Sequence, residues 1–273
     1  MNPNISLKEP IVSVEWLHNN LNAKNLVILD GTINKPFDTS QNQISGARFF
    51  DIKQKFSDTS NPFPSAFPSE EQFQKEARNL GVNSNRAIVV YDDKGMYSCA
   101  RVWWLFKAFG YNNVAVLNGG FPKWVSSGFP TQAMTPYKGK MGNFKTNLKS
   151  GYMMFFEGVQ EASQKKSHLI IDARSSSRFN CETPEPREGL RMGTIPNSIN
   201  LPFTQLLDNG CLKDKTNLEK EFAHLAPEDK GIIFSCGSGI TACILAIGAH
   251  IIGYSNISVY DGSWTEWGSL IEG

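Results

Sequence analysis

The chain has 273 residues, 27 basic and 26 acidic, for a net charge of +1, and 40% of it is hydrophobic. These are the proportions of a globular protein long enough for two domains, each with its own core. The charge balance argues against nucleic acid or an anionic membrane as partner, since both select a basic excess, and no apolar run approaches the roughly 20 residues of a membrane span.

The five cysteines (Cys99, Cys181, Cys211, Cys236, Cys243) are odd in number and scattered, which suits free thiols in a reducing compartment better than a disulfide framework. No C-x-x-C pair or His/Cys cluster is present, so no metal site is expected. The opening MNPNISLKEPIVSVEW has no basic segment feeding an apolar core, and it carries Glu9 and Glu15 without an arginine. Neither a secretory signal nor a transit peptide is expected there. A cytoplasmic location is expected, with the mitochondrion as a second one.

In chain order, short apolar runs bounded by turn residues predict buried strands over 27–29, 88–91 and 114–117, and a periodic stretch predicts a helix over 101–109. Residues 131–150, TQAMTPYKGKMGNFKTNLKS, are polar, rich in Lys and Gly and without period; they read as a linker. The signals then return: strands over 169–171, 232–234 and 257–260, and a helix over 244–252. Strands alternating with helices imply parallel pairing in α/β layers. The expected division is a domain over 1–130, the linker, and a second domain over 151–273.

The return is a duplication. Gly110, Tyr111, Asn113, Val116, Gly119 and Trp124 recur as Gly253, Tyr254, Asn256, Val259, Gly262 and Trp267, every pair 143 positions apart. Upstream, LVILDG (26–31) echoes LIIDAR (169–174), and SGARFFD (45–51) echoes TIPNSINLP (194–202). On the constant offset, Cys236 falls opposite Asp93. One copy then holds a thiol where the other holds a carboxylate, which fits one working site and one scaffold copy.

The chemistry concentrates in IIFSCGSGITACILA, where a strand runs into Cys236, then Gly237-Ser238-Gly239, then an apolar helix. Ligands of parallel sheets bind at the carboxyl ends of the strands, where a loop turns into a helix. Two glycines let the loop backbone approach a ligand closely, and amides converging at a helix N-terminus favour an anion. A thiol in such a cradle is expected as the nucleophilic thiolate, and the same amides would hold a persulfide anion. Read alone, a cysteine after a strand also serves as a small buried hydrophobe, but a core-filling thiol needs no glycine loop.

SCARVWWLFKAFG (98–110), VLNGGFPKW (116–124), the DAR…RFN…EPREGLR run (172–191), CGSGITA (236–242) and YDGSWTEW (260–267) together resemble the tandem rhodanese family, most closely its 3-mercaptopyruvate sulfurtransferases. The resemblance covers nearly the whole chain. It implies an α/β fold of two tandem rhodanese-like domains, each a mostly parallel sheet flanked by helices, with the second one catalytic. It implies Cys236 as nucleophile and Ser238 as its relay partner. Arg178 and Arg187 would hold the carboxylate and carbonyl of 3-mercaptopyruvate, with Gly237, Gly239, Ile240 and Thr241 also contacting the substrate. No cofactor is implied, and the acceptor would be cyanide or a thiol such as thioredoxin. Read from the residues alone, Arg178 and Arg187 could instead pair with Glu182, Glu185 or Glu188, Ser238 could cap the helix, and Arg191 is structural.

One departure stands out. Where the family commonly shows His-Ile-Pro-Gly-Ala, this chain has Gln43-Ile44-Ser45-Gly46-Ala47, and glutamine is no general base near neutral pH. The four histidines (His18, His168, His224, His250) lie outside any matching motif. Two other readings remain: a thiosulfate sulfurtransferase, and a weakened rhodanese-like binding or regulatory protein. A cysteine phosphatase needs C-x5-R, and the sixth residue after Cys236 is Ala242.

Overall fold

The computed structural model describes residues 4–223, 225 and 230–272; His224 lies outside them. The described residues form two compact units. The first takes those up to 58 together with 67–149 and 209–212; the second takes 59–66, 150–208 and those from 213 onward.

The first unit runs β1 (Ile11–Val12), α1 (Val14–Asn20), β2 (Leu26–Asp30), β3 (Asn42–Ile44), β4 (Arg48–Phe49), α2 (Glu70–Asn79), β5 (Ala87–Tyr91), α3 (Cys99–Ala108), β6 (Val114–Leu117), α4 (Gly120–Ser126) and β7 (Thr131–Ala133). Its five-stranded sheet has the order β1-β6-β5-β2-β4, with every pairing parallel. All five residues of β5 are buried, as expected of a central parallel strand covered on both faces. Residues 131–149 belong to this unit: β7 pairs antiparallel with β3, and Met134 and Phe144 are fully buried. The stretch lacks periodicity because single anchoring side chains, rather than a continuous apolar face, hold it down.

The second unit repeats the plan with β8 (Met153–Met154), α5 (Phe156–Lys165), β9 (His168–Asp172), α6 (Ser176–Phe179), β10 (Ser198–Asn200), a 3-10 turn (Phe203–Leu206) and β11 (Leu207–Asp208), then, after β12 (Cys211–Leu212), which falls in the first unit, α7 (Lys215–Ala223), β13 (Gly231–Ser235), α8 (Ala242–Ile251), β14 (Ile257–Tyr260) and α9 (Ser263–Leu270). Its sheet has the order β10-β9-β13-β14-β8, again all parallel. Five strands therefore take equivalent places in the two units, which makes the duplication structural. Trp124 closes the core of the first unit, and Trp264 and Trp267 that of the second.

The ladders correct the register of the duplication. Ile88 stands beside Val114 on β6, and Ile232 beside Ile257 on β14. The Tyr91 carbonyl accepts the Gly31 amide as the Ser235 carbonyl accepts that of Ala173, and Phe121 N donates to Asp92 O as Trp264 N donates to Cys236 O. The counterpart of Cys236 is thus Asp92, not Asp93. The loop from β5 to α3 is one residue longer than that from β13 to α8, so the 143-residue offset holds only after it.

Candidate functional site

β13 delivers Cys236 to the carboxyl edge of the second sheet, and α8 begins six residues later. Between them Gly239 takes φ +71°, a left-handed conformation that glycine adopts without penalty. Thr241 holds the N-cap position of α8, but its side chain makes no capping bond. Ser238, half-buried, makes no side-chain hydrogen bond among the described residues, so the capping role open to it from sequence is not taken. The amides of Gly237, Ser238, Ile240 and Thr241 donate to no protein acceptor among the described residues. That leaves donors for an anion beside Cys236.

Cys236 itself is only 1% exposed, but its surroundings are polar. Its amide donates to Ser263 Oγ at 3.0 Å, and that of Gly239 to the same oxygen at 3.1 Å. Ser263 in turn donates to the Tyr260 carbonyl at 2.9 Å and lies 3.9 Å from Cys236 Sγ. Trp264 and Thr265, in the first turn of α9, bond the carbonyls of Cys236 and Gly237. Ser263, fully buried at φ 51°, is therefore the fixture that shapes the loop, and sequence reasoning missed it. A signal was present: on the 143-residue offset, which holds here, Ser263 falls opposite Gly120, which has nearly the same φ of 50°. A serine has replaced glycine where a side chain is costly.

The first unit shows what such a loop does with a negative charge. The fully buried Asp92 carboxylate accepts the amides of Lys94 at 2.9 Å, Tyr97 at 2.7 Å and Cys99 at 2.9 Å. Burial, followed by the charge of Asp92, pushes the Cys99 thiol well above its ordinary value.

The arginines separate. Arg178, in α6, reaches the loop: a methyl group built on Gly237 would lie 3.1 Å from its Nη2. Its Nη2 also bonds Glu185 Oε2. Glu185 is buried and pinned by Arg174, whose Nη1 meets Oε1 at 2.6 Å, while the other edge of that guanidinium is clamped on Asp172 at 2.7 to 3.1 Å. Asp172, Arg174, Glu185 and Arg178 thus form one chain leading to the loop. The ion pair open to Arg178 from sequence exists, but Glu185 is an anchored partner rather than a loose surface one. Arg187 is exposed and makes no ion pair among the described residues. Arg191 is structural, donating to the Ile271 carbonyl and stacking on Trp264.

Gln43 is fully buried in the first unit, where Nε2 donates to the Ala47 carbonyl at 2.9 Å and closes the 43–47 turn. His18 stacks on Phe129, and His168 meets Ser167. Cys99 and Cys243 are buried, Cys181 is exposed and Cys211 is half-buried.

Two parallel five-stranded α/β units, one of them presenting a cysteine at the head of a glycine loop, define a class. The rhodanese-like domain model matches residues 13–127 and 156–270, and the chain belongs to that family. It is 38% identical to the thiosulfate/3-mercaptopyruvate sulfurtransferase 1, mitochondrial, of Arabidopsis thaliana, over 96% of this chain and 77% of that one. It is 34% identical to the human 3-mercaptopyruvate sulfurtransferase, over 94% and 91% of the two chains. Among solved structures, SseA of Escherichia coli, a 3-mercaptopyruvate sulfotransferase, superposes with a TM-score of 0.82 at 31% identity, covering 94% of this chain and 99% of that one. Among the described residues no helix is long and apolar enough to cross a membrane.

Proposed function

We propose that this chain is a 3-mercaptopyruvate sulfurtransferase working through a persulfide on Cys236. The observation that carries the reading is the pair of loops. In the first unit an anionic side chain at the head of the loop draws in three backbone amides. In the second, the equivalent position holds a thiol with four amides uncommitted beside it. A cradle that accommodates a fixed carboxylate in one copy suits a thiolate and its persulfide in the other.

The Cys236 thiolate attacks the terminal sulfur of the donor, forming an S–S bond as the donor's carbon–sulfur bond breaks. The electron pair leaves with carbon as the enolate of pyruvate, which takes up the proton from the transferred sulfur. Products are pyruvate and the Cys236 persulfide anion, with charge and atoms conserved. The free amides of Gly237, Ser238, Ile240 and Thr241 act where negative charge develops. Arg178 is placed to hold the donor's carboxylate by its planar fork, and Arg187 would complete the clamp from its exposed turn. Ser238, beside the thiol, is the member free to pass a proton. An acceptor thiolate, such as that of thioredoxin, or cyanide then attacks the outer sulfur and restores the thiolate; a second thiol on the acceptor persulfide releases hydrogen sulfide. We place this chemistry in the cytoplasm or mitochondrion, where thiol acceptors are kept reduced.

Incubating the protein with 3-mercaptopyruvate should release pyruvate and add one sulfur to Cys236 by mass spectrometry, and Cys236→Ser should abolish both. Retained pyruvate release in that variant would overturn the assignment. Faster turnover of thiosulfate than of mercaptopyruvate would instead make this a thiosulfate enzyme. Failure to load sulfur from either donor would leave a binding module.

A further inference from the structure

The Asp172–Arg174–Glu185–Arg178 chain holds two carboxylates and two guanidiniums, so its formal charges cancel. Arg174, its side chain fully buried, is spent on Asp172, Glu185 and the Gly193 carbonyl at 2.9 Å. It also lies 4.8 Å over the ring of Trp264, whose amide bonds Cys236 O. Arg178 is the outward member, its side chain 26% exposed, and it faces the loop at Gly237. Its charge is already matched by Glu185, whose side chain is 1% exposed. On the segment that follows, Arg187 and Arg191 are offset in number by Glu182 and Glu188, and none of the four makes an ion pair among the described residues. The side chains of this run therefore offer a donor the fork of Arg178 without a net positive charge.

We infer that Glu185 is a positioning and specificity-determining residue: it aims Arg178 at the Cys236 loop and cancels its charge, so that the site favours a donor with a single carboxylate over a dianion. This rests on the sulfurtransferase reading and names what sets its donor preference. A monoanion loses little by meeting a neutralised arginine, because the planar hydrogen-bonding fork remains. A dianion such as thiosulfate depends on net charge, and each missing unit of positive charge costs it twice what it costs a monoanion. Glu185 also fixes the side chain it neutralises. Arg178 is held through both Nε and Nη2, which leaves Nη1 and the outer edge of the fork for the donor.

The experiment measures kcat/KM for 3-mercaptopyruvate and for thiosulfate in the wild type, Glu185→Gln and Arg178→Gln. Glu185→Gln keeps the shape and one acceptor oxygen and uncovers the charge of Arg178. The ratio of thiosulfate to mercaptopyruvate kcat/KM should rise by about tenfold, mostly through a lower KM for thiosulfate, and the gain should shrink as salt is raised. Arg178→Gln removes the fork and the charge together, so kcat/KM should fall for both donors. A purely structural role for Glu185 would weaken both donors together and leave the ratio where it was, and that result overturns the inference. If Glu185→Gln fails to fold, the salt dependence of the wild type decides: a kcat/KM for thiosulfate that falls no more steeply with salt than that for mercaptopyruvate supports the inference, and a steeper fall overturns it. The sulfurtransferase reading stands or falls separately, on whether the wild type turns over either donor.

Discussion

Ser263 occupies a backbone conformation, φ 51°, that a β-carbon disfavours by about 1–2 kcal/mol. Its hydroxyl offsets that cost by satisfying two buried amides, those of Cys236 and Gly239, and each such donor left unpaired costs about 1–3 kcal/mol. Ser263→Ala keeps the strain and orphans both amides, so a loss of about 2–4 kcal/mol is expected in urea unfolding. Ser263→Gly orphans the same amides but relieves the strain, so it should be the milder of the two variants by about 1 kcal/mol. Equal losses would show that φ at this position carries no strain. The sequence showed Cys236 and its glycines because a thiol followed by Gly-Ser-Gly is rare without a reason. Ser263 was hidden within YDGSWTEW: only its place opposite Gly120 in the other copy points to the backbone it occupies.

At the scale of elements, the two loops differ by one residue and in the charge each holds. β5 and β13 were legible as short apolar runs because central parallel strands are buried on both faces, and α3 and α8 because their apolar positions are nearly continuous. Their ends were less legible, and the position of the extra residue in the first loop could be fixed only by the ladders of β5 and β13. α9 carries a conflict of its own. Glu266 sits in its first turn, where the helix dipole favours a negative charge, yet burial, reinforced by Asp261 and Glu157, holds its carboxyl above the ordinary carboxylate value. The folded state therefore binds the Glu266 proton more tightly than the unfolded one. The stability this confers is present at low pH and is lost as pH rises through the raised value. Glu266→Gln should therefore raise the thermal midpoint at neutral pH, with the difference from wild type closing as the solution is acidified toward the carboxylate range. A midpoint at neutral pH that does not rise would mean that the helix dipole outweighs burial.

At the scale of the molecule, duplication produced two copies of one loop with different occupants. Asp92 fills the first with its own carboxylate, accepting three amides while fully buried. Hydrogen bonds to an ionised group are worth about 1.5–3 kcal/mol each. Asp92→Asn retains one oxygen but turns an NH2 toward amides that can only donate, so a loss of about 2–4 kcal/mol is expected for the unit that contains it. Unfolding followed by urea checks this, with the tryptophans of α3, Trp103 and Trp104, reporting the first unit. An unchanged midpoint would mean that the amide cradle contributes nothing, and would remove the support that the first loop lends to the second.

The sequence alone determined the class of fold, the duplication and the glycine loop headed by Cys236. Apolar periodicity, glycine punctuation and a lone thiol at a strand end are local features, and local features are written in order along the chain. It could not decide which residues hold that thiol and its arginine in place. Ser263 lies 27 residues from Cys236 and Glu185 lies 11 from Arg174. Serine and glutamate are common residues whose meaning depends on what folding brings beside them. The tertiary structure decided that Arg178 lies against the loop and is paired with a buried Glu185, and that Asp92 rather than Asp93 stands opposite Cys236. Each of these is a matter of distance and burial, which exist only once the sheets have formed.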